Sequence, residues 1–250
     1  MIFKDKMVAV TGGAQGIGKC IAECFARQGA IVHIIDVQDA PWFIGDLSDK
    51  VTLERFAAEV IGKIGHIRWT VEPDLFSAIV QNIVSQQISG SAAASILARI
   101  EAALVEITPK TVAKTDMQTF RACGVSMRKT EYIKEFAAKV VSGELDLAAV
   151  AKMPDAEVIA ALSSLRGIGV WTAEMLLLFT LQRPDILSYG DLGIHRGMRM
   201  VYRHRKITKK LFAKYRCRLS PCGSVASLYF WMVAGGAIPG LTDPACGIQK

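Results

Sequence analysis

No two cysteines in this 250-residue chain stand at C-x-x-C spacing. A zinc-finger site or a thioredoxin-like redox pair is therefore not expected from Cys20, Cys24, Cys123, Cys217, Cys222 and Cys246, and as free thiols they suit a reducing compartment. Long apolar runs are lacking too. The first residues hold no apolar stretch of the kind a secretory leader needs, and Met175–Phe179 is far too short to span a bilayer. A soluble, cytoplasmic protein is the expectation. Basic excess is lacking in one part only: residues 1–66 carry 7 Lys and Arg against 8 Asp and Glu, whereas residues 67–250 carry 23 against 15. The net charge of +7 thus belongs to the second part, which suits a polyanionic partner, although a solvated basic surface gives the same count. Apolar residues make up 51% of the chain, enough for one large packed domain or two small ones.

What is present concentrates between Ser163 and Asp191, in SSLRGIGVWTAEMLLLFTLQRPDILSYGD. Leu165-Arg-Gly-Ile-Gly169 predicts a turn that leads straight into a helix from Val170. Two glycines let the backbone approach another chain closely, and the N–H groups around Gly167, Gly169 and Val170 at the helix start form an anion site. A DNA phosphate is the expected anion. Asp191 opens a further helix that runs through Tyr202. Taken alone it is either a helix cap or a carboxylate kept anionic by the helix dipole and free N–H groups.

The first segment has a different pattern. Met7–Thr11 reads as a buried strand, Gly12-Gly-Ala-Gln-Gly16-Ile-Gly18 follows, Lys19–Gln28 has helical spacing, and Ile31–Ile35 is a second strand ending in Asp36. Glycines at such a turn let a pyrophosphate reach a helix N-terminus, and the terminal acid can bond a ribose hydroxyl. The spacing Thr11-Gly12-x3-Gly16-x-Gly18 resembles the short-chain dehydrogenases, as do Phe43-Ile-Gly-Asp46-Leu47, matching a third strand, and the helix Lys50–Ile64. The likeness ends at Gly65-His66-Ile67, where Arg68-Trp69-Thr70 replaces that family's next motif. Its Ser, Tyr and Lys catalysts have no counterparts in context, since Tyr202-x3-Lys206 lies in a basic stretch where such pairs arise by chance. The resemblance implies a Rossmann-like piece of strand order 3-2-1, in which Gly12, Gly16, Gly18, Asp36 and Asp46 are vestigial nucleotide contacts and NAD(P) binding is not expected.

From Pro73 onward the pattern is helical. Asp74 caps a helix to about Gln87, and further helices are expected over Ser91–Leu104, Thr115–Cys123, Met127–Ser142, Pro154–Leu165, Val170–Leu181, Asp191–Tyr202, Thr208–Arg216 and Ser224–Ala234, with a Gly- and Pro-rich tail after them. Pro73-Asp-Leu-Phe76, Val84-Ser-Gln-Gln-Ile-Ser89, Gly124-Val-Ser-Met-Arg-Lys129 with Tyr132, Leu165–Ala173, Gly190-Asp191 and Ala226-Ser-Leu-Tyr-Phe-Trp231 resemble, phrase by phrase, the 3-methyladenine DNA glycosylase II branch of the helix–hairpin–helix glycosylases. Arg166 stands where that family usually has proline.

That resemblance implies a double-stranded DNA partner carrying a damaged base, with Asp191 as the carboxylate that stabilises the cationic sugar. Bifunctional relatives place a Schiff-base lysine where Trp171 stands, so hydrolysis without strand nicking is implied. Trp171 is either a wall of an aromatic pocket for cationic purines or ordinary core. Met127 is a wedge for the gap left by the flipped base, or a plain methionine, and Arg128, Lys129 and Arg166 are phosphate contacts or solvated charges. The carbonyls of Ser163, Leu165 and Ile168 can share a monovalent cation with the phosphate, no other cofactor is required, and the cysteines do not match the iron–sulfur pattern of some relatives.

The expected molecule is mostly α, a fusion (natural or artificial) of an incomplete Rossmann-like segment at residues 1–64 with an all-helical DNA glycosylase domain at 65–250. Two other functions stay open from the residues alone: an NAD(P)-dependent oxidoreductase remnant, supported only by residues 7–47, and a non-catalytic DNA-binding module.

Overall fold

Short polar side chains placed just ahead of apolar repeats start most of the helices. In the computed structural model the described residues are 7–11, 21, 24, 27, 31–35, 64, 65, 67 and 71–245. They fall into two compact units, one of residues 70–183 and a discontinuous one of residues 1–69 with 184–250. Among the described residues no helix is long and apolar enough to cross a membrane.

In the unit 70–183, α1 (Leu75–Ser85) begins where the Asp74 carboxylate accepts from Ser77 N–H at 2.7 Å. Ser89 caps α2 (Gly90–Leu104) in the same way. α3 (Pro109–Lys114) was not foreseen, and α4 (Met117–Ala122) after it lies within the expected helix Thr115–Cys123. The reason is local. Thr108 and Thr111 form a reciprocal capping box ahead of Pro109, and Asp116 caps a new helix by accepting from Thr119 N–H at 2.9 Å. The Lys134 ammonium donates to the carbonyls of Val112, Ala113 and Thr115, satisfying the end of α3. α5 (Met127–Ser142) ends at left-handed Gly143, and a short α6 (Leu147–Val150), not foreseen, is capped by Asp146. α7 (Asp155–Ser163) and α8 (Val170–Phe179) follow. Phe76 stacks on Phe136 at 4.8 Å, inside a core that includes Ile79, Ile83, Phe120, Ile133, Leu162 and Leu176.

In the discontinuous unit, β1 (Met7–Thr11) pairs in parallel with β2 (Ile31–Ile35), Met7 opposite Ile31 through Thr11 opposite Ile35. Both strands have the expected bounds, and Ile21, Cys24 and Arg27 between them are helical. The expected third strand at Phe43–Leu47, and Gly12, Gly16, Gly18, Asp36 and Asp46, lie outside the described residues. α9 (Leu192–Tyr202), α10 (Lys209–Leu219) and α11 (Gly223–Ala234) build the unit's apolar core from Ile194, Met198, Val201, Phe212, Phe230 and Val233, with Ile64 and Ile67 packed against it. Tyr229 O–H donates to the Gly65 carbonyl at 3.1 Å. The segment after α11 is held down: Asp243 is buried and takes two hydrogen bonds from the Arg199 guanidinium.

Candidate functional site

The turn between α7 and α8 is fixed from inside. Leu165 and Ile168 are buried, and Ile168 N–H closes the turn on the Leu165 carbonyl at 3.1 Å. Gly167 has φ +87°, and a Cβ there would lie 2.4 Å from Cδ2 of Tyr132, so both backbone conformation and space require glycine. From α1's C-terminus Gln86 Nε2 donates to the Gly167 carbonyl at 2.6 Å. Gly169, at the helix N-cap, differs: its φ is −97° and a Cβ would meet nothing. No side chain caps α8 there. Val170 is exposed at that first turn.

Tyr132 organises the neighbouring charges. The Arg128 guanidinium donates to its hydroxyl and lies 5.5 Å from its ring centroid, with Arg166 at 5.0 Å and also paired to Glu135 at 3.0 Å. The Tyr132 hydroxyl raises the Arg128 pKa above its ordinary value. Both arginines stay exposed beside the hairpin. Lys129 is placed otherwise than as a plain surface charge. Its ammonium donates to the carbonyls of Val84 at 2.8 Å and Gln86 at 2.6 Å, finishing α1, and burial pushes its pKa down. Met127 is exposed at the first position of α5. Trp171, the second residue of α8, is 47% exposed, which removes the reading of it as core. Ser163 ends α7, so the carbonyl groups of Ser163, Leu165 and Ile168 all belong to the hairpin.

Asp191 sits in the other unit, at the N-cap of α9, and is 7% exposed. Its Oδ1 accepts from Ile194 N–H at 2.8 Å and from the Trp231 indole N–H at 2.9 Å. The first bond belongs to any aspartate cap; the second does not. It exists because α11 lies directly on α9. A Cβ at Gly193 would come 2.7 Å from Trp231 Cδ1, and one at Gly197 would come 2.3 Å from the Phe230 carbonyl oxygen. Gly193 and Gly197, one turn apart, thus set the indole against the carboxylate. Leu192, next to Asp191, is an apolar side chain 86% exposed. Trp231, Gly193 and Gly197 go unassigned in the sequence, though the Gly-x3-Gly spacing is visible there. Tyr202, of the chance Tyr-x3-Lys pair, is buried and stacked on Tyr215 at 4.1 Å.

In one unit a two-glycine turn leads into a helix that no side chain caps, and in the other a buried carboxylate stands at the head of a helix. The chain belongs to the HhH-GPD superfamily of base excision DNA repair proteins, whose family model matches residues 80–221. It is 30% identical over 178 residues to DNA-3-methyladenine glycosylase 1 of Schizosaccharomyces pombe, covering 69% of this chain and 78% of that one. Among solved structures, a DNA-3-methyladenine glycosidase from Bacillus halodurans matches with TM-score 0.65 and 35% identity, covering 71% of this chain and 83% of that one. The S. pombe 3-methyladenine DNA glycosylase in complex with abasic DNA matches with TM-score 0.61 and 27% identity, covering 73% and 93%. A separate, shorter similarity joins 26% of this chain to 32% of a probable galactose dehydrogenase of Rhizobium meliloti, 35% identical over 83 residues.

Proposed function

We propose that this protein is a monofunctional DNA glycosylase that hydrolyses the N-glycosidic bond of alkylated, 3-methyladenine-like bases in base excision repair. The observation that carries it is the Asp191 carboxylate, buried and oriented by both the α9 backbone and the Trp231 indole. A base in a duplex cannot be attacked in place, so the nucleotide swings out of the stack. As the C1′–N bond breaks, the base leaves with the bonding electron pair and positive charge grows on the sugar. Asp191 stabilises that charge and orients the attacking water, whose oxygen bonds to C1′ as one of its protons passes to the carboxylate. Alkylated purines suit an electrostatic mechanism because their own positive charge has already weakened the bond, and Trp171 offers them an aromatic face at the exposed start of α8. An indole forms no imine, so no lysine-type covalent intermediate arises there.

The N–H groups around Gly167, Gly169 and Val170 take one backbone phosphate, with Arg128 and Arg166 as neighbouring cations and Met127 as the wedge. The hairpin carbonyls of Ser163, Leu165 and Ile168 are hard, neutral oxygen donors, which fit a monovalent cation better than a transition metal. Such an ion would add positive charge for the phosphate. We assign the first segment, about residues 1–67, to descent from the N-terminal part of a short-chain dehydrogenase. The parallel β1–β2 pair and the galactose-dehydrogenase similarity support this, and neither NAD(P) nor a step in excision is assigned to it.

Single-turnover release of methylated base from alkylated duplex tests the assignment, with Asp191→Asn as the comparison. The variant should lose about two to three orders of magnitude in rate while binding duplex nearly as well. Borohydride should trap no protein–DNA adduct. Excision within a few-fold of the parent would overturn the role of Asp191, and a trapped adduct would overturn the monofunctional mechanism.

A further inference from the structure

From Leu192 to Thr242 the chain contains 10 Lys and Arg and not one Asp or Glu. Several of these cations are committed to the fold. Arg199 binds Asp243, Arg203 donates to the Thr242 carbonyl, and Arg216 donates to the Leu187 carbonyl. Arg205, Lys206, Lys209 and Lys210 are exposed, and among the described residues no carboxylate pairs with them. Four like charges gathered within six residues repel one another, an arrangement that a polyanion relieves.

Their position is as informative as their sign. Tyr189, two residues before Asp191, packs edge-on against Phe212 of α10 at 5.0 Å and against His195 of α9 at 4.8 Å, and the Lys209 ammonium lies 6.0 Å from its ring centroid. These aromatic contacts hold the start of α10, where Lys209 and Lys210 stand, beside the loop that delivers Asp191. Lysines on flexible stems act as point charges, suited to phosphates rather than to base edges. A lipid surface would also want apolar insertion, and within the basic stretch from Gly193 to Ser224 no large apolar side chain is exposed.

We infer that Arg205, Lys206, Lys209 and Lys210 form a second DNA-contact ridge, which binds backbone phosphates of the duplex on the Asp191 side, independently of the hairpin. This rests on the glycosylase function proposed above and names how that activity holds its substrate. Each phosphate neutralised releases condensed counterions, so the ridge contributes to the salt dependence of binding.

The test measures binding of an undamaged synthetic duplex by fluorescence anisotropy across a salt series. Two triple variants remove the same charge: Lys206, Lys209 and Lys210 to Gln on the ridge, and the exposed Lys110, Lys114 and Lys152 to Gln elsewhere. The ridge variant should reduce the slope of log K against log salt by roughly 2 to 3, while the control changes it by less than about 1. Equal slopes for the two variants would overturn the ridge, since net charge alone would then account for binding. So would an unchanged duplex slope accompanied by lost binding to phosphatidylserine vesicles, which would assign the lysines to a lipid surface. If the parent releases no methylated base while the ridge variant still shows the slope change, the glycosylase function fails and the DNA ridge stands.

Discussion

At the scale of single residues, the helix start at Asp191 was legible because an aspartate ahead of an apolar repeat is a local signal, and Asp191 does cap α9. Trp231 was not. It reaches Oδ1 at 2.9 Å from 40 residues further along the chain, and nothing in a local pattern announces such a partner. Gly193 carries the same lesson, since its lack of a side chain matters only once the indole lies on it. Lys129 was read as a phosphate contact or a solvated charge, and its bonds to the carbonyls that finish α1 were not legible either. On the mechanism proposed for Asp191, Trp231, whose N–H holds its carboxylate, would act as a positioning residue. Trp231→Phe keeps the ring and removes the donor. Loss of one hydrogen bond to an anion, about 1.5 kcal/mol, should lower the single-turnover rate roughly tenfold with duplex affinity nearly unchanged. If the rate holds and affinity falls instead, the indole serves DNA binding and not the acid.

At the scale of elements, the helices with long apolar faces were readable and the short ones were not. α5 was expected over Met127–Ser142 and has those bounds, because Ser126 caps it and Gly143 ends it. α3 and α6, of six and four residues, depend on caps and on Lys134 more than on a repeating face, so periodicity passes over them. The segment after α11 was expected only as an ordered or fraying tail. Its order comes from Asp243, whose two bonds from Arg199 tie it to α9, the helix that Asp191 begins. The Arg199 hydrogen bonds hold the Asp243 carboxyl below its ordinary value of 3.8. A carboxylate with a depressed pKa stabilises the fold fully above its unfolded value and loses that contribution as pH falls through the folded one. Asp243→Asn should therefore cost about 1.5 to 3 kcal/mol near neutral pH. Chemical denaturation of parent and variant at several pH values should show a constant gap above about pH 5 that narrows below about pH 4. A gap that stays constant into acid would mean the pair contributes nothing electrostatic.

At the scale of the whole molecule, the change of pattern near residue 65 was visible as charge, as motif and as the switch from strand to helix. What the sequence did not reveal is how the stretch just before the helices is used. Ile64 and Ile67 pack on the core of α9 and α11, and the Gly65 carbonyl accepts from Tyr229, so this short piece belongs energetically with the helices at the other end of the chain. Two deletions separate descent from structure. Removing residues 1–48 takes away β1 and β2 and keeps Ile64, Gly65 and Ile67. In the described residues β1 is paired with β2 alone, and an unpaired apolar edge favours association, so this deletion should improve solubility and preserve base excision. Removing residues 1–67 also strips two isoleucines from the core and the acceptor from Tyr229. Partial burial of two such side chains is worth about 2 to 3 kcal/mol, so the longer deletion should melt several degrees lower than the shorter one. Equal melting temperatures for the two would deny Ile64 and Ile67 their part in the core. If the shorter deletion abolishes duplex binding while its helices stay folded, the first segment is part of the DNA site.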